Sequence, residues 1–522
     1  MEEPLKTDEF EAGGLTMRYR FWIGFISACI FVFGGCAEAP KPQPAYWPTE
    51  AWRPSTPEQQ GFDSDAFVAV FDAIKTQSLP IHSLLVIRHG DLVLEAYFYP
   101  YSGETLHNWA SVTKSITSTL VGLAVDDGSI RSTQQPIIDF FPEYHKTLTG
   151  AKRKITVKNL LTMTSGLECG YEPGELEALA MQRSANFVAE AFKLPIHTRP
   201  GIEFSYCSGA THVLSAIVSR ATAMNAFQFA RQRLFDPLRI KEVAWPDDPQ
   251  GVSYGWAGLR MHPRDMAKIG YLFLHQGVWN GQQILSSNWI RRATSRQVIV
   301  PGSDANYGYG WWIGTKELSG VYFAAGRGGQ RVVVWPEKDV VVVMNGAGFN
   351  PARLAPLLMT ALKSDRPLPE NKPAYERLQE KIALAPKAPQ PAPLRELPPQ
   401  AHTISGRTYL LEPNLLDIKR IGLTFEEPNQ AELVFQLVKK EYKLPVGLDG
   451  IYRFTASNPE EPTLAAKGHW VGDEEFVIDY TEADGIQHYW VASQFKGDKI
   501  TVHINDLTGE LPAQIITGST HR

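Results

Sequence analysis

Cysteine is scarce. The chain of 522 residues has four, at positions 29, 36, 169 and 207, and no two form a Cys-x-x-Cys pair. There is no His-x-x-His either, so no metal-binding spacing is present, and neither a metal nor another cofactor is expected. Too few cysteines exclude a disulfide-built scaffold, and no Cys–His pairing supports a thiol nucleophile. Charge of one sign is also lacking: the net value is −5 without a long basic run, which argues against nucleic acid as a partner. The one extended apolar run, residues 21–33, falls short of the roughly 20 residues a membrane-spanning helix needs.

What is present reads as a globular chain. Apolar residues make up 43% and charged residues 20%, and the length exceeds a single ordinary core. Proline is plentiful and unevenly spread. Residues 37–58 and 365–400 are rich in it and read as linkers, which sets off segments 1–36, 59–364 and 401–522. In the first segment, Met17-Arg18-Tyr19-Arg20 precedes the apolar run, and Gly34-Gly35-Cys36 closes it. That order describes a secretory signal. It resembles the bacterial lipobox, which implies lipidation at Cys36 and a lipid-anchored protein of the cell envelope facing the periplasm, the membrane being a partner through that anchor. Phe33 departs from the usual lipobox residue. Two other readings stay open: an uncleaved anchor with an incidental cysteine, and a start at Met17. N-terminal mass spectrometry of the membrane fraction separates them.

In segment 59–364, residues 83–99 predict a hairpin turning at His89-Gly90-Asp91. A helix is predicted from Ser111, with Val112, Ile116, Leu120 and Leu123 on one stripe and Asp127-Gly128 as its stop. More helices are predicted around 155–163, 175–193, 209–222 and 263–276. Residues 309–313, 321–325 and 330–344 read as strands, the last turning at Pro336-Glu337-Lys338-Asp339. Terminal strands around a helical middle imply an α+β fold, one antiparallel sheet with a helical insertion. Segment 401–522 alternates strands (420–424, 431–439, 450–455, 475–480, 487–493 and 499–504) with tight turns. That spacing belongs to an up-and-down all-β sheet or barrel.

The chemistry starts at Ser111-Val112-Thr113-Lys114. A hydroxyl attacks only as a base removes its proton, and positions three apart on a helix share a face, so the amine of Lys114 would stand beside Ser111. Chance supplies roughly one or two Ser-x-x-Lys matches in such a chain. Ser493-Gln494-Phe495-Lys496 is one, and on a strand its two ends face opposite ways. Phe204-Ser205-Tyr206-Cys207-Ser208-Gly209 precedes a helix and offers a phenol to relay a proton. Ala325-Gly326-Arg327-Gly328-Gly329-Gln330 joins two strands and offers backbone N–H groups to an oxyanion. His262 reads as structural, and Trp311, Trp312 and Tyr171 as core or pocket aromatics.

Taken together, these motifs resemble the serine beta-lactamases and penicillin-binding proteins, in their class C-like branch. Asn159-Leu160-Leu161-Thr162-Met163-Thr164-Ser165-Gly166-Leu167 and Arg264-Asp265-Met266-Ala267-Lys268-Ile269-Gly270 resemble two further segments of that branch. Within it the nearest likeness is to esterases and the 6-aminohexanoate-dimer hydrolase group. The resemblance implies an α/β/α sandwich and an acyl-enzyme hydrolase. Ser111 would be the nucleophile, Lys114 the base and Tyr206 the acid for the leaving group. Ser208 would occupy an asparagine's place, and the N–H groups of Ser111 and Arg327 would form the oxyanion hole beside Gly326. Cys207 adjoins Tyr206 and Cys169 follows the Ser165-Gly166-Leu167 segment that borders the cleft in this family, so in an oxidising compartment a Cys169–Cys207 disulfide bracing the tyrosine loop is expected, the alternative being two buried thiols. The family's Lys-Thr-Gly triad aligns with Ala324-Ala325-Gly326, which lacks the cation that grips a substrate carboxylate. An ester or small-amide substrate is therefore expected. A D-alanyl-D-alanine-type peptidase or beta-lactamase acting on peptide or antibiotic, and a non-catalytic cell-envelope ligand binder, remain as alternatives. The 401–522 segment resembles the lipocalin-like domains appended to some relatives.

Overall fold

Alternating and valine-rich segments at both ends of the 59–364 region meet in one eight-stranded sheet. A computed structural model describes residues 46–522 apart from 170–175, 438–439, 457–460, 510 and 521–522. The signal segment, the alternative start, Cys36, the tether up to residue 45 and Tyr171 lie outside the described residues. The strand order is Arg53–Pro54, Asp91–Tyr97, Ile81–Arg88, Val340–Gly346, Gln330–Trp335, Tyr322–Gly326, Trp312–Gly314 and Ala305–Tyr307. All pairings are antiparallel except the first. The hairpin turns where expected, with His89 and Gly90 both at positive φ. One sheet face packs Leu85, Ile87, Val332, Val341 and Val343 against the helical insertion. The other packs Leu84, Val86 and Met344 against helices Ser64–Thr76, Ala355–Ala361 and Lys372–Leu384. This is the α/β/α sandwich.

Several expectations need correcting. The 365–400 stretch holds the helix Lys372–Leu384. Its one internal proline, Pro373, sits in the first turn, where no N–H is needed, and Asn371 caps Ala374 N–H. Buried Ala374 and Leu378, with the pairs Arg377–Asp65 and Lys381–Asp72, fasten it to Ser64–Thr76. The tether's end is also packed. The Trp47 ring lies 5.4 Å from Trp279 and 5.3 Å from His275, and Trp52 Nε1 donates to the Arg264 carbonyl at 2.9 Å. The helix predicted over 175–193 is two, Leu176–Arg183 and Phe187–Lys193, because Asn186 caps the second. Tyr309 and Gly310 are no strand. They form a turn against the central helix, with Gly310 at φ 75° beside the Lys114 carbonyl.

The C-terminal strands close into a barrel. Arg407–Leu411, Arg420–Glu427, Gln430–Gln436 and Glu441–Gly447 run as one antiparallel meander. Leu464–Val471, Glu475–Glu482, His488–Lys496, Lys499–Asp506 and Gln514–Thr520 form another. Arg407–Leu411 pairs with Gln514–Thr520, and Gly447 pairs in parallel with Lys467. Nine next-neighbour strands are an odd number, so a closed ring must contain one parallel contact. The barrel and the sandwich belong to one unit. Tyr99 Oη accepts from Tyr452 N–H at 2.9 Å, and buried Arg260 pairs with buried Asp484 at 3.2 Å.

Candidate active site

Ser111 lies in the short turn Ala110–Val112 that leads into the helix Thr113–Asp126. Ala110 has φ +46°, and local bonds hold it there: its N–H donates to Asn108 Oδ1 at 2.9 Å and its carbonyl accepts from Thr113 Oγ1 at 2.6 Å. The helix is buried on every side, not along one stripe. Its polar face is satisfied by loops wrapped around it: Ser115, Thr117 and Ser118 donate to the carbonyls of Gly310, Gly255 and Tyr309. Lys114 is 1% exposed, and its Nζ donates to Ser111 Oγ at 2.9 Å and to the Trp256 carbonyl at 3.2 Å. The same Nζ lies 4.6 Å from the centre of the Tyr206 ring. Hydroxyl, amine and phenol ring thus converge, with Ser111 alone of the three open to solvent.

Tyr206 is set by its loop's attachment to the 160–169 segment. Ser205 N–H donates to the Met163 carbonyl, Gly201 N–H to that of Thr164 and His197 N–H to that of Gly166. Cys169 and Cys207 are joined in a disulfide. The bond closes 38 residues, and the chain-entropy relation makes that worth about 4 kcal/mol. Reduction is expected to lower unfolding free energy by up to that amount. Chemical denaturation with and without reductant checks this, and unchanged stability would refute it.

A polar network that the sequence did not reveal ties this turn to the glycine turn. His82 Nδ1 and His107 Nε2 lie 2.9 Å apart, and His107 Nδ1 donates to the Asn108 carbonyl at 2.8 Å. Asn345 adjoins His107, accepts from Ser83 Oγ at 2.7 Å and donates to Gln330 Oε1 at 2.9 Å. Gln330 Nε2 in turn donates to the carbonyls of Arg327 and Gly346. Asn345, at the end of a run of valines and a methionine, was the one local signal. Burial holds both imidazoles neutral, His107 with its pKa pushed down to about 3 and His82 also well below the usual range. The unfolded chain therefore binds more protons than the native one below about pH 6.5. Stability is expected to fall between pH 6.5 and 5, above the carboxylate range, with a slope approaching about 1.4 kcal/mol per pH unit for each histidine. Denaturant titrations at those pH values measure it, and a flat profile contradicts it.

The remaining site expectations divide. Gly326 ends the strand Tyr322–Gly326 so close to the nucleophile turn that a Cβ there would stand 2.6 Å from the Trp109 carbonyl. Arg327 begins the glycine turn that follows, where Gly328 has φ 82°. Ser208 is wholly buried in the first turn of Ser208–Thr222, its N–H 3.4 Å from Glu177 Oε1. In this structure the Ser208 side chain has no surface open to a substrate. The tryptophan pair separates: Trp311 is core, while Trp312 stacks on Tyr206 with ring centres 6.2 Å apart. Ser493 lies buried in a barrel strand, away from any such pairing with Lys496. His262 occupies the position just before the helix Pro263–Leu274, where its side chain makes no capping bond. Among the described residues the one cluster with metal-ligand geometry is Cys169, Glu177 and Cys207, and its two sulfurs are already bonded to each other.

The chain is similar to known proteins in sequence and fold. The Beta-lactamase family profile matches residues 67–362. The 6-aminohexanoate-dimer hydrolase of Paenarthrobacter ureafaciens is 25% identical over 281 residues, covering 50% of this chain and 71% of that protein. Penicillin-binding protein 4 of Amycolatopsis lactamdurans is 28% identical over 191 residues, covering 35% and 49%. A solved structure from Bacillus anthracis, provisionally assigned as a 6-aminohexanoate-dimer hydrolase, superposes with a TM-score of 0.50 at 21% identity, over 64% of this chain and 87% of that one. The profile spans more than half of the sequence and seven of the eight strands of the sheet that frames Ser111, so this chain belongs to the beta-lactamase family and is a hydrolase of that kind.

Proposed function

We propose that the chain cleaves an ester or small amide through an acyl-enzyme on Ser111. The 2.9 Å bond from Lys114 Nζ to Ser111 Oγ carries the reading. Lys114, in its neutral form, takes the hydroxyl proton as Oγ bonds to the substrate carbonyl carbon. The carbonyl oxygen gathers charge and receives the N–H groups of Ser111 and Arg327. The C–O or C–N bond then breaks, and Tyr206 hands a proton to the departing alcohol or amine. Water repeats the sequence in reverse order and frees the acid. The strand beside the nucleophile supports this substrate class. Ala324 and its partner Val332 both belong to the core on that face, and Arg331 of the same strand pair stands opposite Ala325 and donates to the Gly326 carbonyl at 3.2 Å, so an alanine holds the position of the family's triad cation. Trp312, Phe204 and Tyr307 supply an aromatic wall in its place. The lipid-anchored, periplasm-facing location expected from Cys36 is part of this proposal and suits an enzyme meeting amphiphilic esters.

A fluorophosphonate probe is expected to label the protein and Ser111→Ala to abolish the label. Labelling by a tagged penicillin with equal speed would favour the peptidase or beta-lactamase reading, and no labelling by either would leave only ligand binding.

A further inference from the structure

The barrel is filled at one end and open at the other. Phe425, Trp470, Phe476 and Phe495 pack together and close the first. At the second, inward side chains including Ile421, Leu433, Phe435, Ile478, Val491 and Ile504 surround a cavity of about 740 Å³. A barrel of eight or nine strands has room either to be filled by side chains or to hold one small ligand. This volume lies within the range of about 300–1,000 Å³ typical of small-molecule sites.

The open end has a defined place and polarity. The strand registers bring the 411–420 and 482–488 connections, the start of Glu441–Gly447 and the start of Leu464–Val471 to that end. The 482–487 turn packs on the catalytic half: Asn108 N–H donates to the Asp484 carbonyl at 3.0 Å, and a Cβ on Gly328 would meet Ile486 at 3.4 Å. Asn108 is three residues before the nucleophile. Polar groups at the cavity are Tyr480, Glu482, Gln487 and Tyr489. Glu482 Oε2 accepts from Ile486 N–H at 3.1 Å and Gln487 N–H at 3.4 Å, and Tyr489 Oη donates to Gln487 Oε1 at 2.9 Å. Burial pushes the Glu482 carboxyl and the Tyr480 phenol up, which favours their neutral forms. Among the described residues at the rim, Lys440 pairs with Glu461 and Glu441 with Arg420, and Lys443 lies on the outward parity of its strand.

We infer that the barrel lumen binds one single-chain amphiphile, its hydrocarbon tail among the aliphatic walls and an uncharged hydrogen-bonding head at the Tyr480–Glu482–Gln487 side of the rim. Apolar walls and the hydrogen-bonding side chains Tyr480, Gln487 and Tyr489 match a head such as an alcohol, amide or ester carbonyl, and the ion pairs Lys440–Glu461 and Glu441–Arg420 leave those four charges already partnered. The head then lies at the rim shared with the catalytic half. Binding is separable from hydrolysis, so failure of the esterase reading would leave this site untouched.

The test is fluorescence titration of the full chain with N-phenyl-1-naphthylamine, followed by displacement. One-to-one uptake is expected, with displacement by 1-dodecanol at concentrations at least tenfold below those needed for dodecyltrimethylammonium or dodecanoate. Val491→Trp and Ile504→Trp, each checked for an intact thermal transition, should weaken uptake at least tenfold. Absence of probe uptake by the unaltered chain, equal displacement by the charged amphiphiles, or undiminished uptake in both folded variants would overturn the assignment. Because the competition series uses the unaltered chain, it decides the matter even if neither variant folds.

Discussion

Ser111→Ala is expected to lower turnover of a short activated ester by about 10⁴-fold or more, roughly 5.5 kcal/mol of barrier. The half-exposed hydroxyl bonds to Lys114 and is not part of a core, so its removal should change stability by only about 0.5 kcal/mol. The two readings therefore separate cleanly: a large loss in kcat with an unshifted thermal midpoint. If the variant retains activity within tenfold of the parent, another group is the nucleophile and the acyl-enzyme on Ser111 is wrong.

Lys114→Met should cost about 10³-fold in kcat, in the range of a lost general base. Its effect on stability runs the other way from that of most core substitutions. The lysine head is buried under the Tyr206 ring and beside the Trp256 carbonyl. Burying an amine is costly, and methionine fills similar space without that cost. The thermal midpoint is expected to stay level or rise while activity collapses. Lys114→Arg should not restore turnover, since a planar guanidinium neither fits the same bonds nor gives up its proton. A variant whose rate and stability fall together would mark Lys114 as a structural strut instead.

Ser111, Lys114 and Tyr206 were legible because their signals are local. An i, i+3 pair on a helix and a phenol on a short loop ahead of another helix each occupy a few consecutive residues. The His107–Asn345–Gln330 network was not legible. His82 and His107 are 25 residues apart, and Ser83 and Asn345 are 262 apart, so their meeting depends on strand pairing that no window of sequence contains. The helix Lys372–Leu384 was hidden by its proline-rich surroundings. The splitting of Trp311 from Trp312 was hidden because the strand begins only at Trp312, and the sequence does not say which side of it is the cleft.

By itself the sequence indicated the fold class, the family and three residues, Ser111, Lys114 and Tyr206, that the structure brings together. Periodicity and short motifs are enough for these, because backbone hydrogen bonding and side-chain spacing are local. Only the tertiary structure decided that Ser208 is buried in a helix's first turn, that the nucleophile turn and glycine turn share one buried network, and that the barrel meets the catalytic half at the open end of its lumen. Those facts are set by burial and by contacts between distant strands, and burial belongs to the assembled chain.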